Sequence, residues 1–100
     1  MRSAYCASKA GVDQLTKVLA LEWAPHNITV NAVAPTFVQT PFVTDMFKDE
    51  SFKRFVLDSI PIGRMATEEE VAYAVLYLLC DFAAIITGHV LLVDGGWTIK

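Results

Sequence analysis

Residues 28–34, ITVNAVA, form an almost wholly apolar run that has Asn31 as its strongly polar residue and that Pro35 ends. An uninterrupted apolar strand is typical of a parallel sheet that helices cover on both faces. A second apolar run, at residues 89–93, stands before a Gly-Gly turn near the end of the chain. Two such strands with a helix between them predict a right-handed βαβ crossover. The pattern therefore favours the α/β fold class.

Helical patterns precede and separate these strands. The first helix is predicted over residues 4–23, and the segment APHN at 24–27 stops it. Residues 41–60 contain four phenylalanines and Met46, and they predict one or two short helices. The last helix is predicted over residues 67–80, because its first residue, a threonine, forms a capping box with Glu70. No repeat, linker or low-complexity tract divides the sequence, so the whole chain is expected to form a single unit.

The composition predicts an association partner. Hydrophobic residues make up 54% of the 100 residues, and the mean hydropathy is +0.42. A lone domain of this length buries too little surface to hide so much apolar area. We expect the chain to pack against a second subunit, in a dimer or tetramer, or against a further part of its own fold. The last predicted helix and the last predicted strand are the expected interface.

Charge and cysteine content exclude several classes of function. A net charge of −3 provides no basic surface for nucleic acid. Cys6 and Cys80 have no metal-ligand spacing and form no dense disulfide framework, so we predict no metal site and expect reduced thiols in the cytoplasm. No secretory signal is visible, and the longest apolar run, VAYAVLYLLC, is too short to cross a bilayer. We therefore expect a soluble protein without a membrane partner.

The first helix places a tyrosine and a lysine on one face. At 100° per residue, Tyr5 and Lys9 lie about 40° apart, one turn from each other. The stripe that they join also contains Val12, Thr16, Leu19 and Trp23. We expect this stripe to pack inward, where an ammonium group costs free energy unless a partner satisfies it. The spacing leaves two interpretations open: a lysine whose aliphatic part covers the helix start, or a lysine that belongs to a site.

The topology predicts where such a site would lie. The first helix leads by a short connection into the first strand, so the two run antiparallel and the helix start lies near the carboxyl end of that strand. The loop at residues 36–40 and the aromatic segment after it leave from the same edge. Ligands bind at the carboxyl ends of strands in open α/β sheets. We therefore expect a ligand site where Tyr5, Lys9 and this loop meet.

Three segments in this order resemble the C-terminal part of a short-chain dehydrogenase/reductase: SAYCASKAGVDQLTKVLALEW with its Tyr-x-x-x-Lys pair, ITVNAVAPTFVQTP and ITGHVLLVDGG. The resemblance covers essentially the whole chain. It implies the C-terminal portion of a Rossmann-type doubly wound parallel sheet. It also implies an oxidoreductase that moves a hydride between NAD or NADP and a secondary alcohol or ketone. Sugar or polyol and 3-oxoacyl substrates both remain open, as does the choice between the two coenzymes.

The resemblance implies a chemical role for the tyrosine and the lysine. Tyr5 is the expected acid/base for the substrate oxygen. A phenol ordinarily titrates near 10, and a neighbouring ammonium group favours its charged form. Lys9 is expected to supply that charge and to bind the ribose hydroxyls of the coenzyme, so both residues are expected to contact the coenzyme.

The resemblance also assigns the loop after the first strand. The backbone of Val38 and the side chain of Thr40 are expected to hold the nicotinamide carboxamide, and Pro35 and Thr36 are expected to shape the wall beside it. Thr36 stands where the family usually has glycine. The loop tolerates this only if the position does not need a positive φ.

The aromatic segment has two interpretations. By resemblance, residues 42–56 form a variable substrate lid, with Phe42, Met46 and Phe47 as its lid residues. Ordinary core packing is the alternative for the same side chains.

Three further polar residues receive structural interpretations. His26 and His89 share no spacing with another candidate group, so we interpret both as structural. Asp94 is expected to stabilise the terminal turn.

The sequence lacks several parts of the family pattern. A Gly-rich turn that would cradle the coenzyme diphosphate is missing, as are the family's serine and asparagine upstream of the tyrosine. We therefore expect the chain to be a fragment of a longer enzyme and to be inactive alone. The competing hypothesis is a catalytically incomplete fragment that acts only as an oligomerisation or association module. Coenzyme binding discriminates the two hypotheses.

Overall fold

The computed structural model describes residues 2–100 and confirms the α/β class. The helices and strands are α1 (Ser3–Trp23), β1 (Ala32–Pro35), α2 (Pro41–Met46), α3 (Glu50–Ser59), α4 (Glu68–Leu79) and β2 (Val90–Val93). Short 3₁₀ turns, which the sequence patterns do not predict, lie at Ala24–His26, Asp81–Ala83 and Trp97–Ile99. Within the described residues, no helix has both the length and the apolar content to cross a bilayer.

β1 and β2 pair as a two-stranded parallel sheet, as the crossover pattern predicts. The prediction of a first strand over residues 28–34 is wrong at both ends, because β1 begins at Ala32 and includes Pro35. Side chains bind the backbone before the strand. The N–H of Val30 donates to Oγ1 of Thr87 at 3.0 Å. The amide of Asn31 donates to the carbonyl of Ile86 at 2.8 Å and accepts from the N–H of His89 at 3.0 Å.

The chain divides into two compact units, and the first contains the described residues up to Ala32 together with Leu76–Leu91. In α1 only Thr16 and Ala20 are buried. Gly88 lies against this buried part, since a Cβ at Gly88 would stand 3.4 Å from Cβ of Ala20. At a φ of +70°, Gly88 also has a backbone conformation that side chains other than glycine rarely adopt.

The prediction that the Tyr5 stripe packs inward is wrong. Tyr5, Val12 and Trp23 are exposed, and only Thr16 of that stripe is buried. The hydroxyl of Thr16 donates to the carbonyl of Val12 at 2.8 Å. This buried hydroxyl therefore has its hydrogen-bond partner within the helix itself. α1 thus contacts other residues of this chain along a narrow strip, and most of its large apolar side chains face solvent.

The second unit contains Val33–Val75 and Leu92–Lys100. Its core consists of three buried residues and the partly buried residues packed on them: Phe47, Val56 and Ile60, with Phe37, Val43, Phe52, Met65 and Trp97. Val56 is fully buried. This unit therefore has its own aromatic core. The sequence-based prediction of one unit over the whole chain stays a prediction.

Caps fix the starts of three helices in the second unit. Oγ1 of Thr40 accepts from the N–H of Val43 at the start of α2, where Pro41 occupies the first helical position. A carboxylate oxygen of Asp49 accepts from two backbone N–H groups at the start of α3. The predicted capping box of α4 is confirmed, because Thr67 and Glu70 each accept from the other's N–H.

Candidate active site

Tyr5 and Lys9 lie together on one face of α1. Nζ of Lys9 stands 5.5 Å from the centroid of the Tyr5 ring, within the range of a cation–π contact. Both side chains are exposed, with Tyr5 at 63%. The hydroxyl of Ser8 donates to the carbonyl of Tyr5 at 2.8 Å. Helical geometry alone therefore brings a phenol and an ammonium group side by side, open to an incoming ligand.

The backbone at Val38 is paired on one side. Val38 forms an isolated parallel bridge with Ala66. The bridge consists of two hydrogen bonds: the N–H of Gln39 donates to the carbonyl of Ala66 at 2.9 Å, and the N–H of Ala66 donates to the carbonyl of Phe37 at 3.1 Å. Because the backbone of Ala66 makes both of these bonds, the N–H and the carbonyl of Val38 itself point to the opposite side. Val38 therefore presents a backbone edge directed away from Ala66.

Thr40 closes this loop at the start of α2. Its N–H donates to the carbonyl of Val38 at 2.8 Å. Its side-chain oxygen accepts from the N–H of Val43 at 3.3 Å. Because a hydroxyl group is both a donor and an acceptor, the Thr40 hydroxyl proton can still donate to a ligand.

Pro35 is the last residue of β1, and Thr36 follows it directly. In the part of the chain that the structure describes, Asn27 is the one non-glycine residue with positive φ. Thr36 therefore needs no glycine-like backbone, and its side chain is tolerated in the loop. Thr36 also lines a cavity of about 310 Å³ within the second unit, beside Arg64, Glu70 and Asp94.

The three lid residues occupy different environments. Phe42 and Met46 are exposed, Phe42 at 75%. Phe47 is buried at 8% exposure, and its ring centroid lies 6.0 to 6.2 Å from those of Phe52 and Phe37. Phe47 thus packs into the core of the second unit, whereas Phe42 and Met46 leave their side chains available to a ligand.

Charged groups organise the segment before α4. The guanidinium of Arg64 donates to both carboxylate oxygens of Glu70, at 2.6 and 2.8 Å, and to the carbonyl of Met65 at 3.0 Å. The N–H of Thr67 donates to Glu70 at 2.9 Å. The hydrogen bonds from Arg64, followed by those from Thr67, lower the pKa of Glu70 to about 2.

The predicted role of Asp94 is confirmed. Its carboxylate accepts from the N–H of Gly96 and from both the N–H and the hydroxyl of Thr98, at 2.8 to 3.0 Å. The bonds from Thr98, followed by that from Gly96, lower the pKa of Asp94. A hydrogen-bonded carboxylate therefore holds the Gly-Gly turn.

Sequence reasoning missed two groups near the candidate loop. Phe37 contacts Trp97, with ring centroids 5.7 Å apart, although sixty residues separate them. Arg64 pairs with Glu70 across a loop, outside the i,i+4 spacing that marks ion pairs on a helix. The capping-box pattern predicted the role of Glu70, but no sequence pattern predicted that Arg64 would pair with it.

Comparisons with known proteins match nearly the whole chain. The family model described as Enoyl-(Acyl carrier protein) reductase matches residues 1–98. An NAD-dependent glycerol dehydrogenase from Listeria innocua is 47% identical over 100 residues, covering 97% of this chain and 38% of the relative. An L-xylulose reductase from Bos taurus is 45% identical over 95 residues, covering 95% of this chain and 39% of the relative.

A solved structure agrees with the fold. The crystal structure of a candidate 2-deoxy-d-gluconate 3-dehydrogenase from Agrobacterium tumefaciens, with bound NADP, matches with a TM-score of 0.93 and 40% identity. The match covers 96% of this chain and 39% of that one. The chain therefore spans about two-fifths of the length of the relatives that it matches.

Proposed function

The chain belongs to the short-chain dehydrogenase/reductase family, and on that premise we propose that it is the C-terminal part of a longer oxidoreductase, called below the complete enzyme. That enzyme transfers a hydride between NAD or NADP and a secondary alcohol or ketone. The sheet of β1 and β2 then forms the C-terminal portion of a Rossmann-type doubly wound parallel sheet.

Tyr5 and Lys9 are the proposed catalytic pair. The phenol oxygen of Tyr5 gives a proton to a substrate carbonyl, or takes one from a substrate hydroxyl. The ammonium group of Lys9, one helical turn away, stabilises negative charge on that oxygen and binds the ribose hydroxyls of the coenzyme. The observation that carries this proposal is the side-by-side placement of the two exposed groups.

The loop after β1 fits a nicotinamide carboxamide. A primary carboxamide offers one acceptor oxygen and two donor N–H groups. The edge of Val38 presents its N–H as a donor, and its carbonyl, which accepts from the N–H of Thr40, keeps a second lone pair; the hydroxyl of Thr40 retains its proton. We assign carboxamide binding to these two residues, and the wall beside the ring to Pro35 and Thr36. When bound, the coenzyme supplies or accepts the hydride.

The proposed substrate is a small polyol or sugar and its keto form. The relatives named above include a glycerol dehydrogenase and an L-xylulose reductase. The segment after the loop then serves as the substrate lid. Phe42 and Met46 are its ligand-facing residues, since both are exposed, while Phe47 anchors the segment to the core.

We propose in addition that the protein forms oligomers through α4 and β2. α4 exposes large apolar side chains around more than one face: Tyr73, Val75, Leu76, Tyr77 and Leu79. Leu92 of β2 is exposed as well. Monomeric proteins rarely leave an apolar patch of this extent open to water.

Replacement of the lysine tests the catalytic proposal. In the complete enzyme, Lys9→Met should lower kcat and raise the coenzyme KM, each by about tenfold or more, because a charged hydrogen-bond donor is lost. Steady-state kinetics at varied coenzyme concentration measures both constants. Lys17→Met, which removes an exposed lysine from the same helix, is the matched control and should change neither constant. Equal behaviour of the two variants would refute the assignment of Lys9.

A further inference from the structure

The loop that contains Val38 is hydrogen-bonded to the segment around Ala66. Ala66 provides both partners of the bridge: its carbonyl accepts from Gln39, and its N–H donates to Phe37. These two bonds flank Val38 on either side in the sequence. The position of the Ala66 backbone therefore determines the position of the Val38 backbone.

Ala66 is itself held through both of its sequence neighbours. The carbonyl of Met65, before it, accepts from Nη1 of Arg64 at 3.0 Å. The N–H of Thr67, after it, donates to Oε2 of Glu70 at 2.9 Å. Arg64 and Glu70 are joined to each other by two parallel hydrogen bonds of 2.6 and 2.8 Å. One bidentate ion pair thus fixes the backbone on both sides of Ala66.

We propose that Arg64 and Glu70 are positioning residues for coenzyme binding, which act by holding Ala66 and, through it, the backbone edge of Val38. The inference rests on the proposed function of that edge in binding the nicotinamide carboxamide. Neither Arg64 nor Glu70 is assigned a contact with the coenzyme or the substrate.

The geometry of the pair exceeds what a helix cap requires. A capping box needs only Thr67 and Glu70. Arg64 adds two bonds to the carboxylate and one to the carbonyl of Met65, and all three act on the loop before the helix. Exposed ion pairs contribute little to folding stability, and both side chains here are exposed to solvent. The main effect of the pair is therefore expected in the geometry of the loop, with a smaller contribution to global stability.

Arginine is needed for this arrangement because its guanidinium is a planar fork. It can meet both carboxylate oxygens and the Met65 carbonyl at once. A lysine at position 64 would retain the charge but could not reproduce the two parallel bonds. Arg64→Lys should therefore restore part of the function that Arg64→Met removes.

Kinetics of the complete enzyme tests the functional part. Arg64→Met and Glu70→Gln should each raise the coenzyme KM by about fivefold or more and leave the substrate KM unchanged, with Arg64→Lys intermediate. Glu69→Gln, the neighbouring carboxylate outside this network, is the matched control and should behave as wild type. A purely structural role would lower kcat through loss of active enzyme while the coenzyme KM stayed constant, and that result would overturn the inference.

Hydrogen exchange of the 100-residue chain tests the positioning without coenzyme or turnover. The amide protons of Gln39 and Ala66 should exchange about tenfold faster in Glu70→Gln than in Glu69→Gln, because local opening of the bridge becomes easier. Unchanged exchange at both amides would overturn the positioning itself. Absence of coenzyme-dependent turnover in the wild-type complete enzyme would instead overturn the proposed function, and with it the coenzyme part of this inference.

Discussion

The placement of Lys9 beside Tyr5 follows from the helix repeat alone, since four residues make just over one turn. The chain has no buried ammonium group at this point, because both side chains face solvent. The sequence could predict this pair and the Val38 loop, which are local in the chain. It could not predict the Arg64–Glu70 pair or the Phe37–Trp97 contact, because both depend on the tertiary fold and not on local spacing.

The lowered pKa of Glu70 predicts a pH-dependent stability difference at the residue scale. The folded chain holds this pKa at about 2, below the ordinary value of 4.5, chiefly through hydrogen bonds from Arg64. A depressed carboxyl pKa stabilises the folded state above the unfolded value, and this contribution is lost as the pH falls through the folded value. The free-energy advantage of wild type over Glu70→Gln should therefore be constant above pH 5 and decrease between about 4.5 and 2.

Urea unfolding of the 100-residue chain at a series of pH values measures this difference. Glu69→Gln serves as the control, because Glu69 lies outside the Arg64 network. A wild-type advantage over Glu70→Gln that stays constant down to pH 2 would contradict the lowered pKa of Glu70.

At the scale of the elements, the patterns predicted each helix and both strands to within a few residues, except the start of the first strand. α1, α4 and the two short helices α2 and α3 follow from spacing, stop signals and caps. The first strand begins four residues after its predicted start because Val30 and Asn31 form hydrogen bonds with residues 86–89. No local sequence pattern predicts these bonds. The exposure of the large apolar side chains of α1 could not be predicted either, because it depends on which other residues pack against the helix.

The two phenylalanines of the lid segment should differ sharply in their effect on stability. Phe47→Ala removes a buried ring from the core of the second unit and should lower the free energy of unfolding by about 3 kcal/mol. Phe42→Ala removes an exposed ring and should change it by less than about 0.5 kcal/mol. Chemical denaturation measures both values. A similar loss in the two variants would contradict the different burial of the two rings.

At the scale of the whole molecule, the exposed apolar surface is the dominant feature. More than half of the residues are hydrophobic, and large apolar side chains of both α1 and α4 face solvent. A chain of 100 residues has a limited capacity to bury such side chains. Association of copies through α4 and β2 is the arrangement that we propose to cover part of this surface.

Light scattering of the chain should therefore report particles larger than an 11.0 kDa monomer. Leu76→Glu or Leu92→Glu should give smaller or aggregated species, because a carboxylate is costly to bury in an apolar contact. Leu21→Glu changes an exposed leucine of α1, outside the proposed interface, and should leave the particle size unchanged. A clean soluble monomer of the wild-type chain at tens of micromolar would refute the proposed association.

The catalytic pair is the central claim, and turnover of the complete enzyme after Tyr5→Phe tests it most directly. Loss of the phenol oxygen should reduce kcat by at least about a hundredfold, the contribution expected of a positioned acid/base, with the fold unchanged by circular dichroism. Tyr73→Phe removes the hydroxyl of a similarly exposed tyrosine on α4 but keeps the apolar ring that the proposed interface needs, so it should retain full activity. Turnover of Tyr5→Phe within a few-fold of wild type would contradict the assignment of Tyr5 as the acid/base.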